Sequence, residues 1–275
     1  MNFKYLMERE DESIRLVRKD RAQATVSQLI DTGIQELGEN PHIVDAGSGA
    51  GVVAMWMADI TSQTRNDVTI SLLDGSAERL ATAENNLLPY SSIGKQFIKC
   101  NLEDIPVPND NVDYLFCRFV FEYLENPTKV FKEFQRIVKP GGKVVIGDLD
   151  NNSVSHFPLP SNLQFQLDEL VKEIENRKLL DFHAGRKLYS YFYNNNFDAI
   201  KAHIYGHHLF YGELSENDEH NWSTKLDQMI RYQDRGDLVL EFDLRAFKLQ
   251  FMEFLKSPGR FSYTPLVIIE GIKRS

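Results

Sequence analysis

The stretch Val44-Asp45-Ala46-Gly47-Ser48-Gly49-Ala50-Gly51 decides the reading of this chain. The apolar run His42-Ile43-Val44 leads into it, and a helix-like run from Val52 to Ile60 leaves it. A strand therefore enters a glycine-rich turn and a helix begins at once. Such a turn offers backbone N–H groups and the positive end of a helix dipole to a ligand. Glycine lets the ligand approach because no Cβ stands in the way. A dinucleotide fingerprint reads G-x-G-x-x-G. Here the third glycine comes one residue early, at Gly51, and Val52 takes the expected place. Asp45 stands two residues before the first glycine. The pattern D-x-G-x-G-x-G suits a ligand with a cationic amino-acid end better than one with a pyrophosphate.

Around this turn, strands and helices alternate from about 42 to 150. Strands are expected at 42–47, 68–73, 96–100, 112–120 and 143–147, with helices at 76–87 and 127–138. Pro127 stands at the first helical position of the latter, and Pro140-Gly141-Gly142 ends it. Alternation of this kind means a parallel sheet with right-handed crossovers. Upstream, residues 1–38 read as an N-terminal helical lid. Leu16, Val26, Leu29, Ile30, Ile34 and Leu37 recur at helical spacing. Downstream, 151–196 is polar, Asn-rich and helical, an inserted cap within a domain spanning 39–275. A strand over 200–211, a charged helical block over 216–256 and a last strand over 265–271 complete the chain.

Composition bounds the function. The 275 residues carry 31 Lys and Arg against 40 Asp and Glu, a net charge of −9. That balance argues against a phosphate-backbone partner, which needs a basic face. Cys100 and Cys117 lie in apolar runs and read as buried thiols, with no disulfide or zinc-ligand spacing. No metal site is expected. The start of the chain has no apolar signal core, and no run is long enough to span a bilayer. The expected setting is cytoplasmic.

Ligands of an open α/β sheet bind at the carboxyl ends of its strands. The first strand delivers Asp45 and the glycine turn. The second delivers Asp74, then Gly75 and Ser76. A carboxylate there can accept both hydroxyls of a ribose, although Asp before Gly is also an ordinary turn. The third delivers Asn101-Leu102-Glu103-Asp104, where an amide or backbone N–H can read an adenine edge. The fourth delivers Arg118 and Phe119.

Val-Asp-Ala-Gly-Ser-Gly-Ala-Gly, Leu-Leu-Asp-Gly-Ser, Asn-Leu-Glu-Asp-Ile-Pro and Arg-Ile-Val-Lys-Pro-Gly-Gly-Lys-Val-Val-Ile together resemble the class I S-adenosylmethionine-dependent methyltransferases. The likeness is to the small-molecule group that includes enzymes of quinone and polyketide biosynthesis, and it covers about residues 40–150. The resemblance implies a Rossmann-like, doubly wound, mostly parallel seven-stranded sheet with an antiparallel last strand. It implies S-adenosyl-L-methionine as cofactor. Asp45, Gly47, Ser48 and Gly49 would lie around its methionine part, and Asp74 would hold the ribose. Gly75 and Arg79 would stand beside the adenine, with Asn101, Leu102 and Glu103 at the adenine edge. Arg118 and Phe119 would complete the cofactor set, and Tyr5 would close over it from the N-terminal segment. The family usually has Asp where Asn101 stands, and many relatives carry His-His where this chain has Glu122-Tyr123.

Methyl transfer demands little of the protein beyond proximity and orientation. A base is needed only if the acceptor must lose a proton. His156, in the loop after the fifth strand, is the catalytic candidate. His183, Glu122 and the cluster His203, His207 and His208 are further titratable groups. The aromatics Phe157, Leu163, Phe165, Phe182, Tyr189, Tyr191, Phe192 and Tyr193 with their aliphatic neighbour either line an apolar substrate pocket or form the cap's own core. The expected acceptor is a small, aromatic or apolar metabolite. Non-methylating chemistry on the bound sulfonium (cyclisation or decarboxylation) and a basic protein target are the alternatives. The amino-group DNA signature and the Pro-Cys of RNA cytosine enzymes are both absent at Cys117-Arg118-Phe119-Val120.

Overall fold

Strand β1 (His42–Ala46) runs between β2 (Thr69–Asp74) and β4 (Val112–Arg118), parallel to both, and four of its five residues are buried. Burial on both faces is what an almost unbroken apolar run requires. The computed structural model describes residues 23–275. Tyr5, Leu16 and most of the expected N-terminal lid lie outside the described residues.

The described chain divides into two units. The sheet unit takes the described residues through Asp148, with Ala184–Tyr205 and Leu266–Ser275. Its helices are α1 (Gln23–Gln35), α2 (Val52–Thr64), α3 (Ala77–Asn86) and α4 (Pro127–Ile137). Strands β3 (Gly94–Lys99) and β5 (Val138–Leu149) flank the first three, and the order is β3-β2-β1-β4-β5-β8, with β7 (Phe197–Phe210) paired to β8 (Phe261–Lys273). The first five strands are parallel, and the C-terminal strands are antiparallel. The doubly wound expectation holds.

Two details depart from it. The Pro140-Gly141-Gly142 step does not precede a strand but lies inside β5, beside a register irregularity at Val112–Tyr114. A Cβ on Gly142 would stand 2.7 Å from Val138 Cγ1 and 2.9 Å from the Lys139 carbonyl oxygen, so the backbone there leaves room for glycine alone. The sheet also has eight strands rather than seven. The addition is β6 (Ser155–Phe157), which pairs antiparallel with Phe261–Tyr263.

The second unit takes Leu149–His183 and Gly206–Pro265. Its helices are α5 (Ser161–Asn176), α7 (Glu216–Asp234) and α8 (Leu244–Lys256). They bury Leu163, Leu167, Trp222, Leu226, Phe247 and Phe251 in a core of their own. The segment expected as a cap over 151–196 is therefore split. Helix α6 (Ala184–Asn194) belongs to the sheet unit, where Leu188 and Phe192 are fully buried. Phe192 packs edge-on against Phe131 and Phe197 at 5.0 and 5.2 Å, and Tyr191 stacks on Phe131 at 5.8 Å. Those rings fill the core because an amphipathic helix needs a face to bury. The other half of the helical unit comes from 206–265, which sequence periodicity had not joined to it.

Candidate cofactor site at the glycine turn

The turn after β1 is held by its own backbone. The N–H groups of Gly47 and Ser48 both donate to the Leu73 carbonyl, at 2.8 and 3.0 Å, which fastens the turn to the end of β2. Gly47, Gly49 and Gly51 all have positive φ, at 72°, 53° and 79°. They are not equivalent. A Cβ on Gly47 would stand 2.3 Å from Val120 Cγ2, and one on Gly51 would stand 2.9 Å from Ala83 Cβ. A Cβ on Gly49 would meet nothing within 4 Å. The outer glycines are therefore packing requirements, while the middle one faces open space. Beside it, Ser48 Oγ is buried with no hydrogen-bond partner. An orphaned buried hydroxyl next to an open glycine is a polar site shaped for a ligand.

Asp74 closes the turn from β2. Its Oδ2 accepts the Gly49 N–H and its Oδ1 accepts the Ser76 N–H, both at 2.8 Å. A carboxylate offers about four lone-pair directions. Two are spent on the backbone, which leaves two for hydroxyl donors such as a ribose pair. Gly75 sits at this corner. Ser76 caps α3, its Oγ accepting the Arg79 N–H at 3.3 Å. The Cys100 N–H donates to the Asp74 carbonyl at 3.1 Å and brings the end of β3 alongside. There Asn101 Oδ1 accepts the Glu103 N–H at 3.0 Å. Leu102 is buried with Ile105 and Val107. Glu103 is engaged by the start of α4, accepting from Asn126 Nδ2 at 3.2 Å and pairing with Lys129 at 3.3 Å.

Asp45 is almost wholly buried, and its Oδ2 accepts the Ala54 N–H at 3.1 Å. Burial pushes its pKa up to about 7, against the pull of Arg118 and of that hydrogen bond, and with a further push from Asp74. The Arg118 guanidinium lies over the rings of Trp56 and Phe119, at 4.9 and 4.7 Å. Phe119 itself holds a left-handed backbone, φ 59°, with its N–H on the Gly147 carbonyl at 2.9 Å. Trp56 went unread in the sequence because its position on α2 looks like ordinary core. At the end of β5, Asp148 is fully buried and its Oδ2 accepts the Glu122 N–H at 3.1 Å. That pair was also missed. A carboxylate at a fifth strand's end is the signal that could have found it.

His156 belongs to the second unit. It stands on β6 in the helical unit, facing Phe251 edge-on at 5.1 Å and Trp222 at 5.8 Å. Its Nδ1 meets Ser262 Oγ at 2.8 Å, and its Nε2 meets the Ser153 carbonyl at 3.0 Å. A carbonyl can only accept, so Nε2 carries the proton and Nδ1 accepts from Ser262. Burial holds its pKa down to about 4. Its Nδ1 lone pair is engaged by the Ser262 hydroxyl, where a catalytic base needs one open to the acceptor. Among the described residues no group of three or more His, Cys, Asp or Glu is arranged to hold a metal ion.

A doubly wound sheet with a D-x-G-x-G-x-G turn at its first strand and an acidic second strand end is the arrangement expected from the resemblance to class I S-adenosylmethionine-dependent methyltransferases. The comparisons agree. Residues 44–146 match the family described as methyltransferase domain. The chain is similar to the ubiquinone/menaquinone biosynthesis C-methyltransferase UbiE of Rickettsia akari, 27% identical over 119 residues, 43% of this chain and 48% of that protein. It thus spans about half the length of the curated relatives it matches. In fold it is similar to the YcgJ protein of Bacillus subtilis (TM-score 0.59, 15% identical, 92% of this chain and 99% of that one). It is also similar to Haemonchus contortus phosphoethanolamine N-methyltransferase 2, solved with phosphomonomethylethanolamine and S-adenosylhomocysteine (TM-score 0.54, 15% identical, 91% of this chain and 53% of that one). Among the described residues no helix is long and apolar enough to cross a membrane.

Proposed function

We propose that this protein transfers the methyl group of S-adenosylmethionine to a small, aromatic or apolar metabolite. The observation that carries the reading is the asymmetry of the turn. Two glycines are packed shut, and Gly49 alone opens onto space, between the orphaned Ser48 hydroxyl and the Asp74 carboxylate. In this reading Asp74 takes the ribose hydroxyls, Asn101 and the backbone after it meet the adenine, and Asp45 with the turn surrounds the methionine end. When bound, the cofactor supplies a methyl group already activated on a sulfonium.

The chain's own residues then orient and exclude. Arg118, braced on Trp56 and Phe119, offsets the buried Asp45 charge. Where the acceptor must lose a proton, Glu122 and Asp148, at the carboxyl ends of β4 and β5, are the carboxylates of the sheet unit offered for it. The similarity to a quinone-pathway C-methyltransferase favours a carbon acceptor. Titration calorimetry of the full chain tests the cofactor half: binding of S-adenosylmethionine and S-adenosylhomocysteine without NAD is expected, and NAD binding without either would overturn it. Product mass tests the transfer. A gain of one CH₂ supports it, whereas an altered product without that gain assigns cyclisation or decarboxylation.

A further inference from the structure

The helical unit buries a guanidinium that it does not satisfy. Arg260 follows the turn Ser257-Pro258-Gly259 after α8 and is 2% exposed. Its Nη1 donates to the Gly212 carbonyl at 2.9 Å. Its Nε and Nη2 have no hydrogen-bond partner. Nε and Nη2 form one edge of the planar guanidinium, the edge that grips a carboxylate with two parallel bonds. The same molecule uses that edge elsewhere. Arg65 spends it on Asp67, with both bonds at 2.7 Å, and Arg136 spends it on Glu133, at 2.8 and 2.7 Å. Arg274 does the same with Asp198.

A second orphan lies in the same unit. Asn221, on α7, is 3% exposed, and neither its Oδ1 nor its Nδ2 has a partner. It stands one turn beyond Asp218, so the two share a helix face. The Arg260 bond to the Gly212 carbonyl brings the guanidinium to the turn that leads into α7, three residues before its N-cap Ser215, and Asp218 acts on the Arg260 charge. Burial nonetheless holds the Arg260 pKa below its ordinary value. Buried donors without partners cost folding free energy, and a buried charge costs more. A fold retains such a group where something else completes it.

We infer that Arg260 and Asn221 form an oxyanion-binding site inside the helical unit, which takes the carboxylate or phosphate group of a small molecule. Arg260 supplies the bidentate edge. Asn221 adds N–H donors, and its carbonyl oxygen accepts from a hydroxyl on the ligand or from a protonated phosphate oxygen. The site lies wholly within one unit, and its existence does not depend on the proposed function.

The test uses the full chain with inorganic phosphate and acetate as separate probes, at constant ionic strength held with chloride. Saturable binding by calorimetry, with a rise in Tm, is expected for at least one of them, and which one responds assigns the ligand's acid group. Arg260→Met, near in volume and uncharged, should weaken that binding by about tenfold or more. It should not lower Tm without ligand, because it removes an unsatisfied buried charge. Asn221→Ala should weaken the same binding, and it decides the matter should the Arg260 variant not fold. No saturable response to either probe, or a response of undiminished affinity in Asn221→Ala and in a folded Arg260→Met, would overturn the site. S-adenosylhomocysteine affinity, measured in the same samples, is expected to stay unchanged and reports on the glycine turn alone.

Discussion

Asp74 does two jobs with one carboxylate. Its two oxygens hold the Gly49 and Ser76 N–H groups, and the proposed function gives its remaining lone pairs to a ribose. Asp74→Ala should therefore weaken S-adenosylhomocysteine binding about tenfold or more, the scale of a lost charge-assisted hydrogen bond. It should also lower Tm, since two backbone donors lose their acceptor. Calorimetry and a melting curve on the same sample check both, and unchanged affinity in a folded variant would refute the ribose role. The position of Asp74 was legible in the sequence, as an acid at a strand end, one strand–helix–strand step beyond a glycine turn. His156 was not legible in that way. A histidine after the fifth strand reads the same whether it faces a ligand or a ring cluster. Only the partners, Ser262 and Phe251, distinguish the two, and both lie about a hundred positions away in sequence.

At the scale of elements, the glycine turn and helix α6 make opposite cases. Gly47 and Gly49 are both expected from the sequence as ligand contacts, yet of the turn's glycines only Gly49 has open space where a Cβ would stand. Gly47→Ala should cost about 1–3 kcal/mol of stability, from the contact with Val120 and from the left-handed backbone. Gly49→Ala should cost about 1 kcal/mol, for backbone alone, but should remove cofactor binding. Denaturant melts with and without S-adenosylhomocysteine separate these effects; equal stability losses with equal retained binding would refute the distinction. The rings of helix α6 read from the sequence either as a substrate lining or as the cap's own core. Its hydrophobic period was visible, but nothing in one sequence says which of two cores a helix joins. Phe192→Ala is expected to cost about 3–5 kcal/mol, as a core truncation does. Tyr189→Ala, at a half-exposed ring, should shift stability by about 0.5 kcal/mol or less.

At the scale of the whole molecule, two buried groups in different units pull stability in opposite directions with pH. Asp45 has its pKa raised from 3.8 to about 7. Between those values the folded state keeps a proton that the unfolded chain has released, so its contribution falls as pH rises through that window. His156 has its pKa lowered from 6.5 to about 4. Between those values the unfolded chain holds a proton that the folded state refuses, so its contribution is complete above 6.5 and is lost as pH falls toward 4. Each effect is worth roughly 1.4 kcal/mol per pH unit at full strength. Over about pH 4 to 6.5 the two nearly cancel, and the wild-type protein should show a flat response from these groups. Asp45→Asn removes one arm while keeping a carbonyl oxygen for the Ala54 N–H. The variant without cofactor should therefore gain stability relative to wild type steadily from pH 4 to 7, and hold that gain above 7. Urea melts across that range measure it. Parallel pH curves for the two proteins would mean that Asp45 is already ionised in the fold and that Arg118, not burial, governs it.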